Sequence, residues 1–265
     1  MERIRVVVSG TGLMGREVLA AVCAQEDMEA VGVIEKFAQE EFISLPGPEA
    51  RLVPLRTDPK TLIEQTSPDV IVDFTNAEWT KEVAPAALAA GARMVIGTTN
   101  LDEAFVSDLA AVCAERNLGS LIAPNFALGA VVMIHLAKEA ARFFDYAEIV
   151  ESHQEKKVDS PSGTALAMAR AMVEGHGRPF THTTPEKEPL GGARGADYGG
   201  VAIHSQRMPG FVAHHEISFG GTGQTLRIRH DSTGRESFMP GVLLAVREVM
   251  KRDRLVLGLD NLLGL

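Results

Sequence analysis

Length, composition and charge limit the kinds of protein that this chain can be. It has 265 residues, enough for one large domain or two modest ones, and two are expected. Hydrophobic residues make up 45% of the chain and charged residues 23%, so disorder is not predicted. The formal net charge of −9 argues against a nucleic-acid partner, because binding to phosphate backbones needs a basic surface. Any anionic ligand would therefore need a local cluster of cations.

The N-terminal segment and the two cysteines indicate the compartment. MERIRVVVSG is charged from its second residue and has only a short apolar run, so neither a secretory signal nor a membrane span is predicted. Cys23 and Cys113 both fall in apolar helical patterns, so a disulfide framework or a thiolate metal site is not expected. We expect a cytoplasmic protein without a membrane partner.

The first half of the chain alternates short apolar runs with helical patterns. A Pro/Gly-containing loop is predicted around residues 44–50. Strands are predicted at residues 4–8, 28–34, 70–74, 94–96 and 120–122, and helices at residues 16–24, 79–90 and 102–117. Short strands that alternate with longer helices are typical of a parallel sheet with right-handed crossovers. The pattern predicts a Rossmann-type α/β domain.

The pattern changes after residue 124. A long loop is predicted at residues 175–200, and the runs that follow it show the alternation of antiparallel strands. Helices are predicted at residues 128–143, 162–174 and 240–251, and strands at residues 146–151, 201–205, 212–219 and 225–230. This part is predicted to be an α+β domain with a mixed, mostly antiparallel open sheet, and the uncovered face of that sheet favours self-association.

The chain is expected to divide into two domains. Residues 1–124 and 238–265 are expected to form a dinucleotide-binding domain. Residues 125–237 are expected to form a domain for substrate binding and oligomerisation.

A glycine turn follows the first predicted strand and precedes the first predicted helix. Gly10-Thr11-Gly12-Leu13-Met14-Gly15 matches G-x-G-x-x-G, in which the glycines permit the turn, the approach of a pyrophosphate and close helix packing. Glu35 follows the turn by twenty residues, at the position where an acid hydrogen-bonds a ribose hydroxyl. Lys36 is a candidate partner for the 2′-phosphate of NADP or else a freely solvated lysine. NADH, NADPH or both are therefore the predicted cofactors.

Two further loops follow predicted strands of the same domain. They are Phe74-Thr75-Asn76 and Gly97-Thr98-Thr99-Asn100. Ligands of open parallel sheets bind at the carboxyl ends of the strands, so both loops are expected to flank the cofactor, although small polar residues also suit simple turns.

Residues 151–165, ESHQEKKVDSPSGTA, combine a proton donor with groups that hold an anion. Ser162-Gly163-Thr164 opens a predicted helix, whose free N–H groups and hydroxyls suit a carboxylate. Lys157 is expected to add a positive charge, and His153 is the nearby side chain that donates a proton near neutral pH. A helix N-cap preceded by a charged surface loop is the alternative.

The segment 151–165, written E-S-H-Q-x-x-K-x-D-x-P-S-G-T-A, resembles the signature of the dihydrodipicolinate reductase family, which acts in bacterial and plant lysine and diaminopimelate synthesis. The resemblance spans nearly the whole chain. Other matching landmarks are the glycine turn, Asp73-Phe74-Thr75, Gly97-Thr98-Thr99, Ala123-Pro124-Asn125-Phe126 and residues 220–230.

The sequence departs from the family pattern in two places. The family often has two adjacent histidines where this chain has His153-Gln154, and an amide cannot carry the charge of the second histidine. The glycine turn is also one residue shorter than the common G-x-x-G-x-M-G form.

The resemblance implies NAD(P)H-dependent reduction of a cyclic unsaturated imine dicarboxylate to tetrahydrodipicolinate, with His153 as proton donor and Lys157 as a second catalytic group. It implies a homotetramer assembled through the second domain. Substrate contacts are implied for Gln154, Lys157, Ser162, Gly163 and Thr164. Cofactor contacts are implied for the glycine turn, Glu35, Gly97, Thr99 and Phe126, with Pro124 and Asn125 beside them.

Two other functions remain open from the residues alone. One is the reduction of another small imine or carbonyl acid on the same fold, and the other is a dinucleotide sensor without turnover. No metal site is predicted, because the adjacent His214 and His215 of an alternating strand face opposite sides and cannot easily share an ion.

Overall fold

The computed structural model describes residues 3–47 and 51–265, so residues 48–50 of the predicted loop lie outside the described part. The strands are β1 (Ile4–Ser9), β2 (Met28–Ile34), β3 (Phe42–Ser44), β4 (Leu52–Arg56), β5 (Val70–Asp73), β6 (Arg93–Ile96), β7 (Ser120–Ile122), β8 (Tyr146–His153), β9 (Ala196–Tyr198), β10 (Val201–Arg207), β11 (Ala213–Gly221), β12 (Gln224–Ser232) and β13 (Leu255–Leu257). The helices are α1 (Leu13–Cys23), α2 (Pro59–Thr66), α3 (Ala77–Ala89), α4 (Glu103–Arg116), α5 (Leu128–Ala141), α6 (Gly163–His176), α7 (Met239–Val249) and α8 (Leu259–Leu263), with a 3-10 turn at Arg235–Phe238.

The chain forms two units. One consists of Met1–Ala127 together with Phe238–Leu265, and the other of Leu128–Ser237. The sequence predicts domains at residues 1–124 with 238–265 and at residues 125–237.

The first unit contains a sheet in the strand order β13-β7-β6-β5-β1-β2-β4-β3. The strands are parallel except for β3, which runs antiparallel to β4. The chain leaves β1 for β2 on one side and later returns to β5 on the other side of β1. Such a reversal opens a crevice at the carboxyl ends of the two strands, where ligands of α/β sheets bind. The predicted Rossmann-type domain is confirmed.

The prediction missed elements in two parts of this unit. Between β2 and β5 the chain forms β3, β4 and α2, and after α7 it forms β13 and α8. β4 contains Pro54, a residue that usually argues against a central strand, but the pairing of β4 with β2 begins only at Leu55, so Pro54 pairs with β3 alone. β3 and β13 have three residues each, too few to show a period.

The second unit contains a sheet in the order β12-β11-β8-β10-β9. β8 pairs parallel with β10, while the other pairs are antiparallel, so the predicted mixed sheet is confirmed. The parallel pair forms because the long connection through α6 allows a crossover. The core beneath the sheet is formed with α5 and α6 by residues that include Met133, Ala137, Ile149, Met168, Met172 and Phe219.

The side chains of β12 alternate between the two faces of the sheet. Ile228 packs against the core of the second unit, whereas the Arg227 and Arg229 side chains remain largely exposed. Within residues 3–47 and 51–265, no helix combines the length and the apolar character that a membrane span requires.

Candidate active site

The glycine turn joins β1 to α1 and is closely packed at its first and third glycines. Gly10 has a φ of +93° and its N–H donates to the Ile34 carbonyl at 2.7 Å. A Cβ on Gly10 would lie 2.8 Å from Thr75 Cγ2. A Cβ on Gly15 would overlap the Gly10 carbonyl oxygen. Both positions therefore require glycine, one for its backbone conformation and the other for the approach of α1 to the turn.

The second glycine of the turn faces open space. Among the described residues, no atom lies within 4 Å of the point where a Cβ on Gly12 would stand. Gly12 is the N-cap of α1, and the first turn of the helix, Leu13-Met14-Gly15, carries no carboxylate. A cavity of about 880 Å³ opens beside Thr11, Gly12 and Glu35. Free space, helix N–H groups and the positive end of the helix dipole suit the pyrophosphate of a dinucleotide.

Glu35 is held at the edge of this cavity by the glycine turn. Its Oε2 accepts hydrogen bonds from the Thr11 N–H at 2.8 Å and the Thr11 hydroxyl at 2.7 Å. Burial opposes ionisation of Glu35, but the two bonds from Thr11 outweigh it, so the pKa of the carboxyl is lowered. Glu35 is therefore an ionised acceptor at the place expected for a ribose partner.

The cation expected beside Glu35 is engaged elsewhere. Lys36 Nζ lies 2.9 Å from Glu82 Oε1 and 4.9 Å from the centre of the Trp79 ring. Arg16 lines the cavity instead, and its Nε donates to the Thr11 carbonyl at 2.9 Å. The sequence analysis missed Arg16, although its position directly after the glycine turn places it on the first turns of α1.

The two loops after β5 and β6 are tied together by Asp73, whose side chain is buried. Asp73 accepts hydrogen bonds from the hydroxyls of Thr75 at 2.7 Å and Thr98 at 3.1 Å, and from that of Thr80. The Thr75 N–H in turn donates to the Thr98 hydroxyl at 3.0 Å. Thr98 is thus a buried support, whereas Thr99 is exposed beside it.

Aromatic packing fixes the backbone at the end of the first unit. The rings of Phe74 and Phe126 lie 5.1 Å apart, and a Cβ on Gly97 would overlap Phe74. Phe126 is 1% exposed, so its ring supports the loop from below. Asn125 Oδ1 accepts from the Ala127 N–H at 2.9 Å, and Pro124 is exposed.

The histidine singled out from the sequence ends β8 and contacts a buried carboxylate. His153 Nδ1 hydrogen-bonds Glu151 Oε2, and the Glu151 side chain has no exposed surface. Arg207 donates to both oxygens of Glu151, at 2.7 Å from Nη2 to Oε1 and 3.0 Å from Nη1 to Oε2. The strand register explains the contact, because Arg207 of β10 lies opposite His153 of β8.

These contacts set the charges of the two groups. Burial opposes ionisation of Glu151, but hydrogen bonds led by those of Arg207 outweigh it and lower the pKa of the carboxyl. Burial also lowers the pKa of His153, and the nearby charges of Lys157 and Arg207 add to this effect against the opposing effect of Glu151. Glu151 is therefore ionised, and the ring of His153 is mostly neutral at neutral pH.

The N-terminus of α6 lies against this pair. The Ser162 N–H donates to Glu151 Oε1 at 3.3 Å, while the Ser162 hydroxyl caps the helix by accepting from the Ala165 N–H at 3.1 Å. The same hydroxyl lies 3.3 Å from Nε2 of the buried His215. Around Gly163, no described atom lies within 4 Å of a Cβ position, so the first turn of α6 has room beside it.

His215 completes the buried group. Its ring meets the ring of His153 edge-on with 5.4 Å between centroids. Burial, with the nearby charge of His153, lowers the pKa of His215 to about 4, so it is neutral near pH 7. His214 points away and its Nδ1 lies 2.7 Å from Asp231 Oδ1, as the alternation predicted. In the described part of the chain, no three His, Cys, Asp or Glu side chains are grouped closely enough to hold a metal ion.

Lys157 lies on the loop that leads from His153 to α6. Its Nζ is 2.7 Å from Asp159 Oδ1, and its N–H donates to the Gln154 carbonyl at 3.2 Å. The hydrogen bond from Lys157 has the largest effect on Asp159 and lowers the pKa of its carboxyl, and a weaker contribution from the Gly163 N–H lowers it further. A carboxylate thus already meets both the lysine and the helix terminus. Gln154 and Lys156 are exposed, and Thr164 is half-buried.

The structure brings His153 and Ser162 into one group but adds partners that the sequence analysis missed. Glu151 shares a face of β8 with His153, because residues two apart on a strand point the same way. The strand pattern alone could therefore have indicated this partner. Arg207 and His215 come from β10 and β11, which flank β8. Their approach depends on strand order and register, which the pattern does not specify.

Comparison with known proteins shows the family of the chain. A model described as the N-terminus of dihydrodipicolinate reductase matches residues 4–126, and one described as its C-terminus matches residues 129–263. The chain belongs to the dihydrodipicolinate reductase family. The resemblance noted in the sequence is thereby confirmed.

Individual members of the family match over almost their whole length. A 4-hydroxy-tetrahydrodipicolinate reductase of Dehalococcoides mccartyi is 43% identical over 266 residues, covering 100% of both chains. That of Moorella thermoacetica is 45% identical and covers 98% of each chain. A dipicolinate-bound dihydrodipicolinate reductase from Paenisporosarcina sp. TG-14 superposes with a TM-score of 0.88 at 39% identity, covering 98% of this chain and 99% of that one. Members of the dihydrodipicolinate reductase family are NAD(P)H-dependent oxidoreductases, and this chain is one of them.

Proposed function

We propose that the protein is a 4-hydroxy-tetrahydrodipicolinate reductase that forms tetrahydrodipicolinate for lysine and diaminopimelate biosynthesis. One observation supports this function most strongly. A histidine with a carboxylate partner, a lysine and an uncrowded helix N-terminus occupy the same corner of the second unit. Together they can hold a carboxylate and deliver a proton, which are the two tasks that remain to the protein when a cofactor supplies hydride.

The first unit would hold the cofactor. Gly12 and the N-terminus of α1 would receive the pyrophosphate, and Glu35 would accept a hydrogen bond from the adenosine ribose. When bound, the reduced nicotinamide supplies a hydride. The loops fixed by Asp73 would position the nicotinamide end, with Thr75, Gly97 and Thr99 nearest to it.

The second unit would hold the substrate. One carboxylate of the cyclic dicarboxylate would bind Lys157 and the first N–H groups of α6, where the Asp159 carboxylate already meets the lysine. Ser162, Gly163 and Thr164 would contribute the helix terminus, and Gln154 a hydrogen bond from the exposed loop. A cationic subsite in an otherwise acidic protein confines anion binding to this place.

His153 would supply the proton that balances the hydride. After water leaves the substrate, hydride adds to the conjugated unsaturation of the ring, and the resulting enamine carbon takes a proton from the His153 imidazolium. The ring returns to its neutral form, which its buried position favours. Lys157 would stabilise the negative charge that develops on the substrate.

The second unit would also mediate assembly into a homotetramer in the cytoplasm. Its sheet is covered by α5 and α6 on one face, and the other face carries polar side chains that include Glu148, His204, Glu216, Arg227 and Arg229. An open face of this kind favours a partner, and a second copy of the chain supplies charges of both signs.

The function is tested by coupling the protein to the synthase that forms the unstable substrate. Absorbance loss of NADH and of NADPH is followed in parallel, with a reaction that lacks the synthase as control. We expect oxidation of at least one cofactor only when the synthase is present. Cofactor binding without oxidation would contradict the proposal and favour a dinucleotide sensor, and oxidation only with another imine or carbonyl acid would assign a different substrate.

A further inference from the structure

We infer that Glu151 is a positioning residue that fixes the proton-donating nitrogen of His153 and ties it to the N-terminus of α6. The inference rests on the proposed function and extends it from the histidine to the buried group that supports it. Glu151 is the one residue in the described part of the chain whose side chain contacts the His153 ring, the Arg207 guanidinium and the Ser162 N–H together.

The contact with His153 determines which ring nitrogen carries the transferable proton. An ionised carboxylate accepts hydrogen bonds but donates none, so His153 Nδ1 must carry a proton toward Glu151. Nε2 is then bare in the neutral ring and protonated in the imidazolium. The proton leaves from Nε2, and the ring left behind is the Nδ1–H tautomer that Glu151 stabilises.

Arg207 keeps Glu151 ionised in a place without solvent. A buried carboxylate without a partner would take up a proton and could then donate to His153 Nδ1, which would reverse the tautomer. Two hydrogen bonds from Arg207 prevent this, and their forked geometry also fixes the plane of the carboxylate. Arg207 therefore acts on His153 through Glu151.

The Ser162 N–H connects proton delivery to substrate binding. It donates to Glu151 Oε1, so the carboxylate that orients His153 also anchors the residue that caps α6. The proton donor His153 and the N-terminus of α6, which would bind the substrate carboxylate, are thereby held by a single side chain. A change at Glu151 should consequently affect the orientation of His153 and, to a smaller extent, the affinity for substrate.

The pH dependence of turnover reports on the same contact. Four titratable or charged groups face His153: Glu151 on its own strand, Lys157 on the following loop, Arg207 on β10 and His215 on β11. Among them only Glu151 raises the pKa of His153, while Lys157 and Arg207 lower it. Removing the Glu151 charge should lower the pKa of His153 further. Because the reaction needs protonated His153, the loss of turnover at high pH should then begin at a lower pH.

Glu151→Gln tests the inference, because glutamine keeps the shape of the side chain but can donate to Nδ1. We expect kcat to fall by about 10²-fold, within the usual contribution of a proton donor. The affinity for NADPH should be unchanged. The loss of turnover at high pH should begin at a lower pH than in the unmodified protein. Asp145→Asn is the matched control, because Asp145 also pairs with an arginine, Arg178, and lies near a histidine, His176, at the opposite end of β8. It should leave both kcat and the pH profile unchanged.

A double variant separates positioning from folding. Glu151→Gln leaves the Arg207 charge without its partner, which is destabilising, whereas Glu151→Gln with Arg207→Met removes both charges. We expect the double variant to regain thermal stability but not kcat. Recovery of kcat together with stability would overturn the inference, as would a Glu151→Gln protein with the kcat and pH profile of the unmodified chain.

Nitrogen-15 spectra of the ring give a readout that needs no substrate. We expect neutral His153 to be the Nδ1–H tautomer in the unmodified protein, and the Nε2–H tautomer to increase in Glu151→Gln. An Nε2–H tautomer in the unmodified protein would overturn the inference even if turnover is high. Absence of turnover in the unmodified protein would instead overturn the proposed function and leave the tautomer result to stand.

Discussion

The two candidate sites of this molecule are built in opposite ways. In the first unit, the glycine turn works through missing side chains: Gly10 and Gly15 permit close packing, and Gly12 leaves space. In the second unit, the candidate site is formed by buried ionised side chains, in which Glu151 contacts both Arg207 and His153. A site for a large polar cofactor needs room and free N–H groups, whereas proton delivery needs a fixed protonation state.

The difference predicts how each site responds to substitution. Changes at the glycine turn should weaken cofactor binding in proportion to the space they fill. Changes around His153 should slow turnover without affecting the cofactor. The experiments below test this separation, beginning with the largest expected effect.

His153→Gln should have the largest effect. We expect turnover to fall by about 10²- to 10⁴-fold, because a proton donor is removed, with little change in the dissociation constant for NADPH. Steady-state kinetics and fluorescence titration of NADPH measure the two quantities. Unchanged turnover would remove His153 from the mechanism, and a large loss of NADPH affinity would show that the two sites are not separable.

Lys157→Ala should combine weaker substrate binding with slower chemistry. Loss of a charge-assisted hydrogen bond should lower kcat/KM by about 10- to 100-fold, shared between KM and kcat. Lys156→Ala is the control, since Lys156 is its exposed neighbour and lies off the signature position. Equal effects of the two substitutions would mean that only the general positive charge of the loop matters.

Gly12→Ala and Gly15→Ala should separate space for the cofactor from packing. A Cβ on Gly12 would enter open space, so we expect normal thermal stability but a rise in KM for the cofactor of about 10-fold, equivalent to ~1.4 kcal/mol. A Cβ on Gly15 would overlap the Gly10 carbonyl, and overpacking should cost about 1–3 kcal/mol of stability. Gly191→Ala, which likewise meets no described atom, is the control. Normal cofactor affinity in Gly12→Ala would contradict the assignment of the turn.

The smallest effects should concern cofactor preference. We expect Lys36→Ala to raise KM for NADPH more than KM for NADH, and Arg16→Ala to do so more strongly, because Arg16 lines the cavity while Lys36 pairs with Glu82. An exposed charge pair is worth up to about 1 kcal/mol, which corresponds to at most about 5-fold. Parallel kinetics with both cofactors measure the effect. Equal changes for NADH and NADPH would remove either residue from recognition of the 2′-phosphate.

Much of the fold was predictable because its elements carry strong periodicity. The strand at residues 28–34 matches β2 without any shift. What failed was short or irregular: β3 and β13 have three residues each, and β4 contains a proline. Such strands form because a neighbouring strand offers hydrogen bonds, and this tertiary effect leaves no period in the sequence.

The candidate sites were predictable to the extent that their residues are close in sequence. His153, Lys157 and Ser162 lie at the end of one strand, in the loop that follows it and at the start of the next helix, so spacing alone grouped them. Arg207 and His215 reach the same place only through the order β11-β8-β10 and its register. The pairing of Lys36 with Glu82 on α3 was likewise out of reach, because it depends on how the helix docks.

The return of the chain to the first unit has a consequence for synthesis on the ribosome. Arg247 of α7 pairs with Asp27, 220 residues earlier, and β13 adds the last strand beside β7. The first unit therefore cannot be completed until β13 has been made, although it also contains β1. The second unit is continuous from Leu128 to Ser237 and can finish folding before it. The nascent chain should thus complete the second unit first and leave the sheet of the first unit with an open edge beside β7 until β13 has been made.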